Sequence, residues 1–212
     1  IADFVEGNTH KVLLMVPSGF ETAITAVNSR IGFGFELESS PSGTGFNVST
    51  KLGGGWRLLT PASGGDIGGF QTSFNLNTNQ DWTIVCRLIV QSGGDGRMFV
   101  GLQDVVGSGT GSNVIGFRRS GDNNFFGVVD DGGTETTRDT GVNQSGDTEH
   151  RFKIVVSGGG AKVQFYFNGS QVGADVTTNI PSSSTMALGL MLAAISGAGS
   201  ADGSDFFAWR EA

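Results

Sequence analysis

The chain has 212 residues, 36 of them glycine and 16 phenylalanine, enough for one large domain. The glycines are scattered between apolar residues without a period, which predicts tight turns and argues against a collagen-like or disordered chain. The formal net charge of −7 argues against a generic phosphate-binding surface, so we expect no nucleic-acid partner. No apolar run is long enough to span a bilayer, so we expect no membrane insertion.

The first thirty residues differ from the rest, and we assign them to an N-terminal arm or extension that precedes one domain over residues 31–212. Residues 11–16, KVLLMV, form a continuous apolar run typical of a buried strand or of a strand that docks on a neighbour. We expect them to contact another subunit, in a homo-oligomer or a shell, with completion of their own domain as the alternative. Residues 17–21 fit a capped helix start, although the following residues also alternate as a strand would.

From Ile31 onwards, short alternating apolar segments are separated by glycine-rich turns, the pattern of an all-β sandwich. A Thr-rich segment over residues 134–140 is polar on both faces and is expected at a sheet edge. Residues 196–204 are expected to form a loop between the last two strands. The predicted strands cover residues 33–38, 46–52, 56–59, 70–76, 82–90, 98–102, 114–117, 125–129, 134–140, 186–195 and 206–209.

Cys86 is the single cysteine, so the fold needs no internal disulfide. It alternates in step with Trp82, Ile84 and Leu88, whereas Thr83 and Arg87 take the other parity. This spacing predicts that Cys86 is a small core side chain rather than a nucleophile.

The segment from His150 to Val172 predicts three consecutive antiparallel strands. Phe152, Ile154 and Val156 alternate with polar residues, and a Ser-Gly-Gly-Gly turn follows them. Val163, Phe165 and Phe167 then resume the alternation up to Asn168-Gly169, a strong hairpin signal.

This segment, with VQFYFNGSQVG followed by TTNIPSS, resembles the concanavalin A-like, or laminin G-like, jelly-roll superfamily. The resemblance extends from about Trp56 to the C-terminus and implies an antiparallel jelly-roll β-sandwich. The superfamily holds lectins, carbohydrate-binding modules, glycanases, lyases and phage domains, so it implies a fold more than an activity. Residues 97–102, 115–117, 126–132 and 140–142 are most similar to sandwich domains of phage head-decoration or tail-fibre proteins, which implies an extracellular or virion-surface location.

We expect no catalytic residues. The glycanases of this superfamily carry three acids on one strand, but here Ser40 follows Glu36 and Glu38 where the third acid would stand. A lyase-type site would need His10 or His150 to meet Tyr166 in one cleft, which no motif supports. A polysaccharide-degrading hydrolase or lyase, and a structural shell subunit without a ligand, remain the alternatives to a carbohydrate-directed binding module.

A carbohydrate site needs polar side chains and an aromatic ring on a concave face or at a loop rim. The candidates lie at non-core strand positions: Arg87, Arg97, Gln103, Arg118, Gln164 and Tyr166. Aspartates in glycine-rich loops are candidate Ca²⁺ ligands at a rim, with ordinary turn aspartates as the alternative: Asp130, Asp131, Asp202 and Asp205.

Overall fold

The structure, a computed structural model, describes residues 14–15, 35–39, 47–50, 56–59, 67–72, 76–91, 97–104, 112–119, 124–143, 148–182, 185–193 and 200–210. Strands β1 to β8 are Leu14–Met15, Phe35–Ser39, Asn47–Thr50, Trp56–Leu59, Ile67–Thr72, Leu76–Asn77, Trp82–Gln91 and Arg97–Gln103. Strands β9 to β16 are Asn113–Arg119, Asn124–Asp131, Glu135–Asn143, Glu149–Ser157, Lys162–Phe167, Ser170–Gln171, Thr185–Ala193 and Ser200–Arg210. This part of the chain holds no helix long and apolar enough to cross a membrane.

The strands form two antiparallel sheets that pack face to face as a β-sandwich. The first sheet has the order β14-β13-β12-β7-β16-β4-β3, with β1 also paired to β16. The second has the order β11-β10-β9-β8-β15-β5-β2, with β6 also paired to β15. The Thr-rich strand β11 lies at the edge of the second sheet, as predicted.

The predicted meander of β12, β13 and β14 is confirmed. Phe152 pairs with Phe167 in register, and buried residues alternate with exposed or half-exposed ones along both strands. Asn168 and Gly169 take φ values of 50° and 88° in the turn, which is the conformation that an Asn-Gly hairpin favours.

Aromatic rings from both sheets fill the space between them. Phe117 of the second sheet meets Phe152 and Phe165 of the first edge-on, with ring centroids 5.2 Å apart in both pairs. A Cβ atom at Gly127 would lie 2.5 Å from the Phe165 ring, so a side chain there would displace that ring. Cys86 is also in this core, as predicted, and burial raises the pKa of its thiol.

The apolar run of the N-terminal arm contributes one described strand. Leu14 lies opposite Ala208 and Met15 opposite Phe207, so β1 joins the first sheet of its own chain. This pairing corresponds to the alternative in which the run completes its own sandwich, and a contact with another subunit stays a prediction. The predicted helix start at residues 17–21 lies outside the described residues.

The predicted loop over residues 196–204 is wrong at its C-terminal half, because β16 already begins at Ser200. Small and polar residues here are weak strand formers. They nevertheless pair with β7 on one side and with β4 on the other, so sheet pairing outweighs local preference. As a result Asp202 lies within a strand and is only 3% exposed, not at a loop rim.

Candidate functional site

Each sheet has an outer face, and the predicted carbohydrate-binding residues are divided between the two. We call the outer side of β7, β12, β13 and β14, with the adjoining Asp175, the Tyr166 face. Its outward residues include Arg87, Glu149, Arg151, Lys153, Val155, Lys162, Gln164, Tyr166 and Gln171. We call the outward positions of β8, β9 and β10 the Gly116 face: Phe99, Gly101, Gln103, Val114, Gly116, Arg118, Phe126 and Val128. Because the core separates them, no single ligand-binding patch includes all the predicted residues.

On the Tyr166 face, polar side chains converge on one carboxylate, that of Asp175. The Nε2 atoms of Gln164 and Gln171 donate hydrogen bonds to Asp175 Oδ1 at 2.9 and 2.8 Å. Lys162 Nζ lies 3.5 Å from Oδ2 of the same carboxylate. The Gln164 hydrogen bond is the largest cause that lowers the pKa of Asp175. Desolvation opposes it, and the Gln171 hydrogen bond and Lys162 lower the pKa further, so the group is charged at neutral pH.

Backbone contacts to both sheets hold Asp175 in place. The neighbouring Val176 exchanges two backbone hydrogen bonds with Val163 of β13, at 2.8 and 2.9 Å. On its other side, the Ala174 carbonyl accepts a hydrogen bond of 3.0 Å from Arg138 Nε of β11. The segment therefore closes the gap between the two sheets and fixes the carboxylate before any ligand arrives.

Tyr166 is half-exposed beside this carboxylate. It lies between Lys153 and Gln171 in strand register, and Lys153 Nζ sits 5.0 Å from the centroid of its ring. The face thus combines an aromatic ring, an ammonium group, a carboxylate and two amides whose Oε1 atoms can accept further hydrogen bonds. Such a set can bind the hydroxyl groups of a sugar.

The Gly116 face is apolar and closed at its centre. Its apolar cluster is Phe99, Val114, Val128 and Met191, each at most 7% exposed, with Phe126 packed against it. Gly189, Gly101 and Gly116 lie side by side on three adjacent strands, and the Phe99 ring sits where a Cβ atom of Gly116 would be. Gln103 is only 1% exposed, and its Nε2 has no hydrogen-bond partner.

Arg118 lies at the exposed margin of the Gly116 face. Its two terminal nitrogens donate to both carboxylate oxygens of Glu135, at 2.6 and 2.8 Å. In register, Arg118 lies opposite Phe126 and Glu135 opposite Asp130, so this pair crosses β10 diagonally. The guanidinium is therefore already engaged within the protein.

The predicted calcium ligands lie on different sheets. Asp130 and Asp131 end β10 of the second sheet, and Asp130 Oδ1 accepts a hydrogen bond of 2.7 Å from the Gly133 amide, as a turn aspartate does. Asp202 and Asp205 lie in β16 of the first sheet. Among the described residues, no three His, Cys, Asp or Glu side chains are grouped to hold a metal ion.

For two other predicted residues, only the position of the backbone is described. Arg97 of β8 lies opposite Ala193 of β15, and Asp205 of β16 lies opposite Arg87 of β7. Sequence reasoning missed several residues of the Tyr166 face, and two of them, Arg151 and Lys153, alternate outward with Phe152 and Ile154 on β12. Lys162 and Gln171 share the outward parity of the meander and could have been included on that signal. Asp175 lies in an irregular segment without a strand pattern, so no signal in the sequence marks it.

His150 lies between the two sheets, 4% exposed, with its ring centroid 5.2 Å from that of Phe125 and 5.0 Å from that of Phe167. Asn168 Nδ2 is 3.2 Å from its Nδ1, and Nε2 has no hydrogen-bond partner. Desolvation by burial lowers the pKa of His150 more than the Asn168 hydrogen bond raises it. His150 therefore does not share a cleft with Tyr166.

No protein-family model matches the sequence, and no curated protein matches it either. Similarity is found among solved structures, where a Shewanella oneidensis MR-1 protein of unknown function has a TM-score of 0.68 at 12% identity. That match covers 94% of this chain and 87% of the other.

Two further solved structures have names that state a function. The carbohydrate recognition domain of Emp47p has a TM-score of 0.61 at 9% identity and covers 92% of this chain and 98% of its own. Alginate lyase A1-II′, of polysaccharide lyase family 7, has a TM-score of 0.56 at 12% identity, with 77% and 83% covered. These likenesses show the fold, a concanavalin A-like antiparallel jelly-roll β-sandwich, as the sequence predicts.

Proposed function

We propose that this protein is a non-catalytic carbohydrate-binding module and that its glycan site is the Tyr166 face. The observation that carries the proposal is the convergence of Gln164, Gln171 and Lys162 on Asp175, beside a half-exposed tyrosine ring. These groups are held before binding, so little side-chain freedom is lost when a sugar docks. The likeness to the Emp47p carbohydrate recognition domain supports a carbohydrate ligand for this fold.

The Gly116 face is a weaker candidate for the glycan site. Its predicted contact residues are either buried, as Gln103 is, or engaged, as Arg118 is with Glu135. A sugar needs donors and acceptors that face water before it binds, and the Tyr166 face provides them.

The enzymatic alternative draws on the likeness to alginate lyase. A lyase needs a base or acid beside the sugar ring that reacts. His150 is enclosed by phenylalanines between the sheets, whereas Tyr166 is on an outer face, so these two do not form such a pair. His10, the other histidine of this alternative, lies outside the described residues. We propose binding without turnover.

A virion or extracellular location, and a homo-oligomer formed through residues 11–16, stay predictions from the sequence. Sedimentation of the full chain and of a chain that lacks residues 1–16 tests the second. A folded, dissociated truncated chain supports a subunit contact. A full-length chain that is monomeric at high concentration contradicts it.

A glycan array probed with the full chain tests the proposed function, followed by affinity measurements on the polysaccharide class it binds. We expect Tyr166→Ala and Gln164→Ala to weaken binding about tenfold each, as the loss of one good contact does. Arg118→Gln, on the Gly116 face, is the matched control and should leave the affinity unchanged.

Two results would contradict the proposal. If Arg118→Gln loses glycan binding while Tyr166→Ala and Gln164→Ala retain it, the site lies on the second sheet. Release of reducing ends or unsaturated sugars from a bound polysaccharide, in a preparation of the unmodified chain, would establish an enzyme instead.

A further inference from the structure

Two exposed cations stand next to the Asp175 cluster. Arg151 and Lys153 flank the core residue Phe152 on β12, so both side chains leave the strand on the Tyr166 face. Lys153 lies opposite Tyr166 of β13, and Arg151 lies opposite Arg87 of β7. Glu149, two residues before Arg151, leaves the strand on the same side, so the face holds both signs of charge. Arg151 and Lys153 form its positive part, in a chain with a net charge of −7.

Neither cation has an ion-pair partner among the described residues. Asp175, one of the carboxylates of the same face, is already bound by Lys162 and two amides. As far as the described residues go, both cations can therefore still pair with the acid group of a ligand, and Lys153 also contacts the Tyr166 ring.

The placement of these cations is unfavourable without an anion. Arg151 and Lys153 lie two residues apart on β12, so their like charges repel each other on one side of the strand. The ammonium of Lys153 also lies over the Tyr166 ring, so a sugar that contacts this ring also meets a cation. A carboxylate or sulfate above β12 would reach both cations and reduce their repulsion.

A charged polysaccharide fits the whole face better than another polyanion does. Its hydroxyl groups match the amide oxygens of Gln164 and Gln171, and its acid groups match Arg151 and Lys153. A nucleic acid carries a charge on every phosphate and would be repelled by Asp175 and by the net negative charge of the chain.

We infer that the ligand of the Tyr166 face is an anionic polysaccharide, with carboxylate or sulfate groups that bind between Arg151 and Lys153. This inference rests on the proposed function and adds the charge of the ligand to it. Arg151 and Lys153 contribute affinity for the acid group, while Tyr166, Gln164 and Asp175 form the remainder of the site.

The test compares polysaccharides that differ only in charge. Binding of the full chain to polygalacturonate and to its methyl ester, and to dextran sulfate and dextran, is measured at about 0.05 M and about 0.5 M NaCl. We expect an acidic polymer to bind at low salt about tenfold or more tightly than its neutral counterpart, and high salt to remove most of that difference. Arg151→Gln and Lys153→Gln should each lower the affinity for the acidic polymer about tenfold. Arg118→Gln, which removes a cation on the other sheet, is the control.

The outcomes separate this inference from the proposed function. Equal affinity for the acidic and neutral polymers, lost in Tyr166→Ala, would overturn the anionic ligand while the glycan site stands. Absence of binding to all four polymers and to a glycan array would overturn both. Equal affinity for single-stranded DNA and for the acidic polymers would show a general polyanion surface and overturn the assignment to a polysaccharide.

Discussion

The two outer faces of the sandwich come from similar strand patterns and differ in what surrounds them. Along β12 and β13, outward residues are exposed or half-exposed and inward residues are buried. Along β9, four consecutive residues from Val114 to Phe117 are buried, so both faces of that strand are closed. The same parity rule thus placed Gln164 near water and Gln103 in an apolar enclosure.

This difference shows that strand parity alone does not identify a binding residue. Parity tells which side of the sheet a side chain leaves from, and it did so correctly for both glutamines. Whether that side faces solvent depends on what packs over the sheet, which lies far away in sequence. Two pairs of substitutions, one pH measurement and one double-mutant cycle test the difference between the Tyr166 face and the Gly116 face.

The largest change in stability is expected from a single methyl group added at Gly101, on the Gly116 face. Gly101 has a φ of 148°, and a Cβ atom there would overlap the Ile115 carbonyl oxygen of β9. Overpacking costs about 1–3 kcal/mol, and a strained backbone costs a similar amount. Gly101→Ala should therefore lower the free energy of unfolding by several kcal/mol in denaturant titration.

Val155→Thr on the half-exposed Tyr166 face is the control for that change and should alter stability by no more than about 0.5–1 kcal/mol. Comparable losses in both variants would show that the two faces are equally constrained.

The same substitution at the two glutamines should have opposite effects. Gln103 is buried with an unpaired Nε2, so Gln103→Met removes a poorly solvated donor and should raise the free energy of unfolding by about 1 kcal/mol. Gln164→Met instead removes a hydrogen bond from Asp175 and should lower stability and glycan affinity. Thermal denaturation and binding assays measure both, and a destabilising Gln103→Met would show that its amide is satisfied.

Acidification should destabilise the strands around His150 more than β9 and β10 of the second sheet. Burial lowers the pKa of His150 below its ordinary value of 6.5, so the unfolded chain takes up a proton at a higher pH than the folded chain does. The contribution of neutral His150 to the free energy of unfolding is fully present above about pH 6.5. It declines as the pH falls towards the pKa of His150 in the folded chain. A protonated Nδ1 would also face the Asn168 amide, a donor, and lose its hydrogen bond.

Hydrogen exchange at pH 7.5 and 5.5 measures where this loss occurs. We expect faster exchange in the β13–β14 hairpin, which Asn168 joins to Arg151 and His150, than in β9 and β10. His150→Gln, which cannot titrate, should reduce the pH dependence. An unchanged pH profile in that variant would assign the effect to other groups.

The smallest effect is expected from the ion pair on the Gly116 face. The side chains of Arg118 and Glu135 are each 33% exposed, so solvent screens their interaction. A double-mutant cycle with Arg118→Gln and Glu135→Gln should give a coupling energy of about 0.2–1 kcal/mol, with unchanged glycan affinity. A change in affinity would place the ligand on this face after all.

The sequence alone was sufficient for the fold class and for most of the strands. Alternating apolar residues, Asn168-Gly169 and the glycine turns are local signals, and the hairpin and the core position of Cys86 follow from them directly. The Thr-rich edge strand was predictable for the same reason, because a strand that is polar on both faces has no place in the middle of a sandwich.

Only the tertiary structure decided which polar residues form a site. It paired residues 200–203 on both sides as part of a strand, enclosed Gln103, and brought Asp175 to Gln164 across a segment without any regular pattern. The physical reason is that burial and side-chain convergence depend on contacts between distant parts of the chain. A local pattern predicts an element and its faces, whereas the surroundings of each face are set by the packing of the whole sandwich.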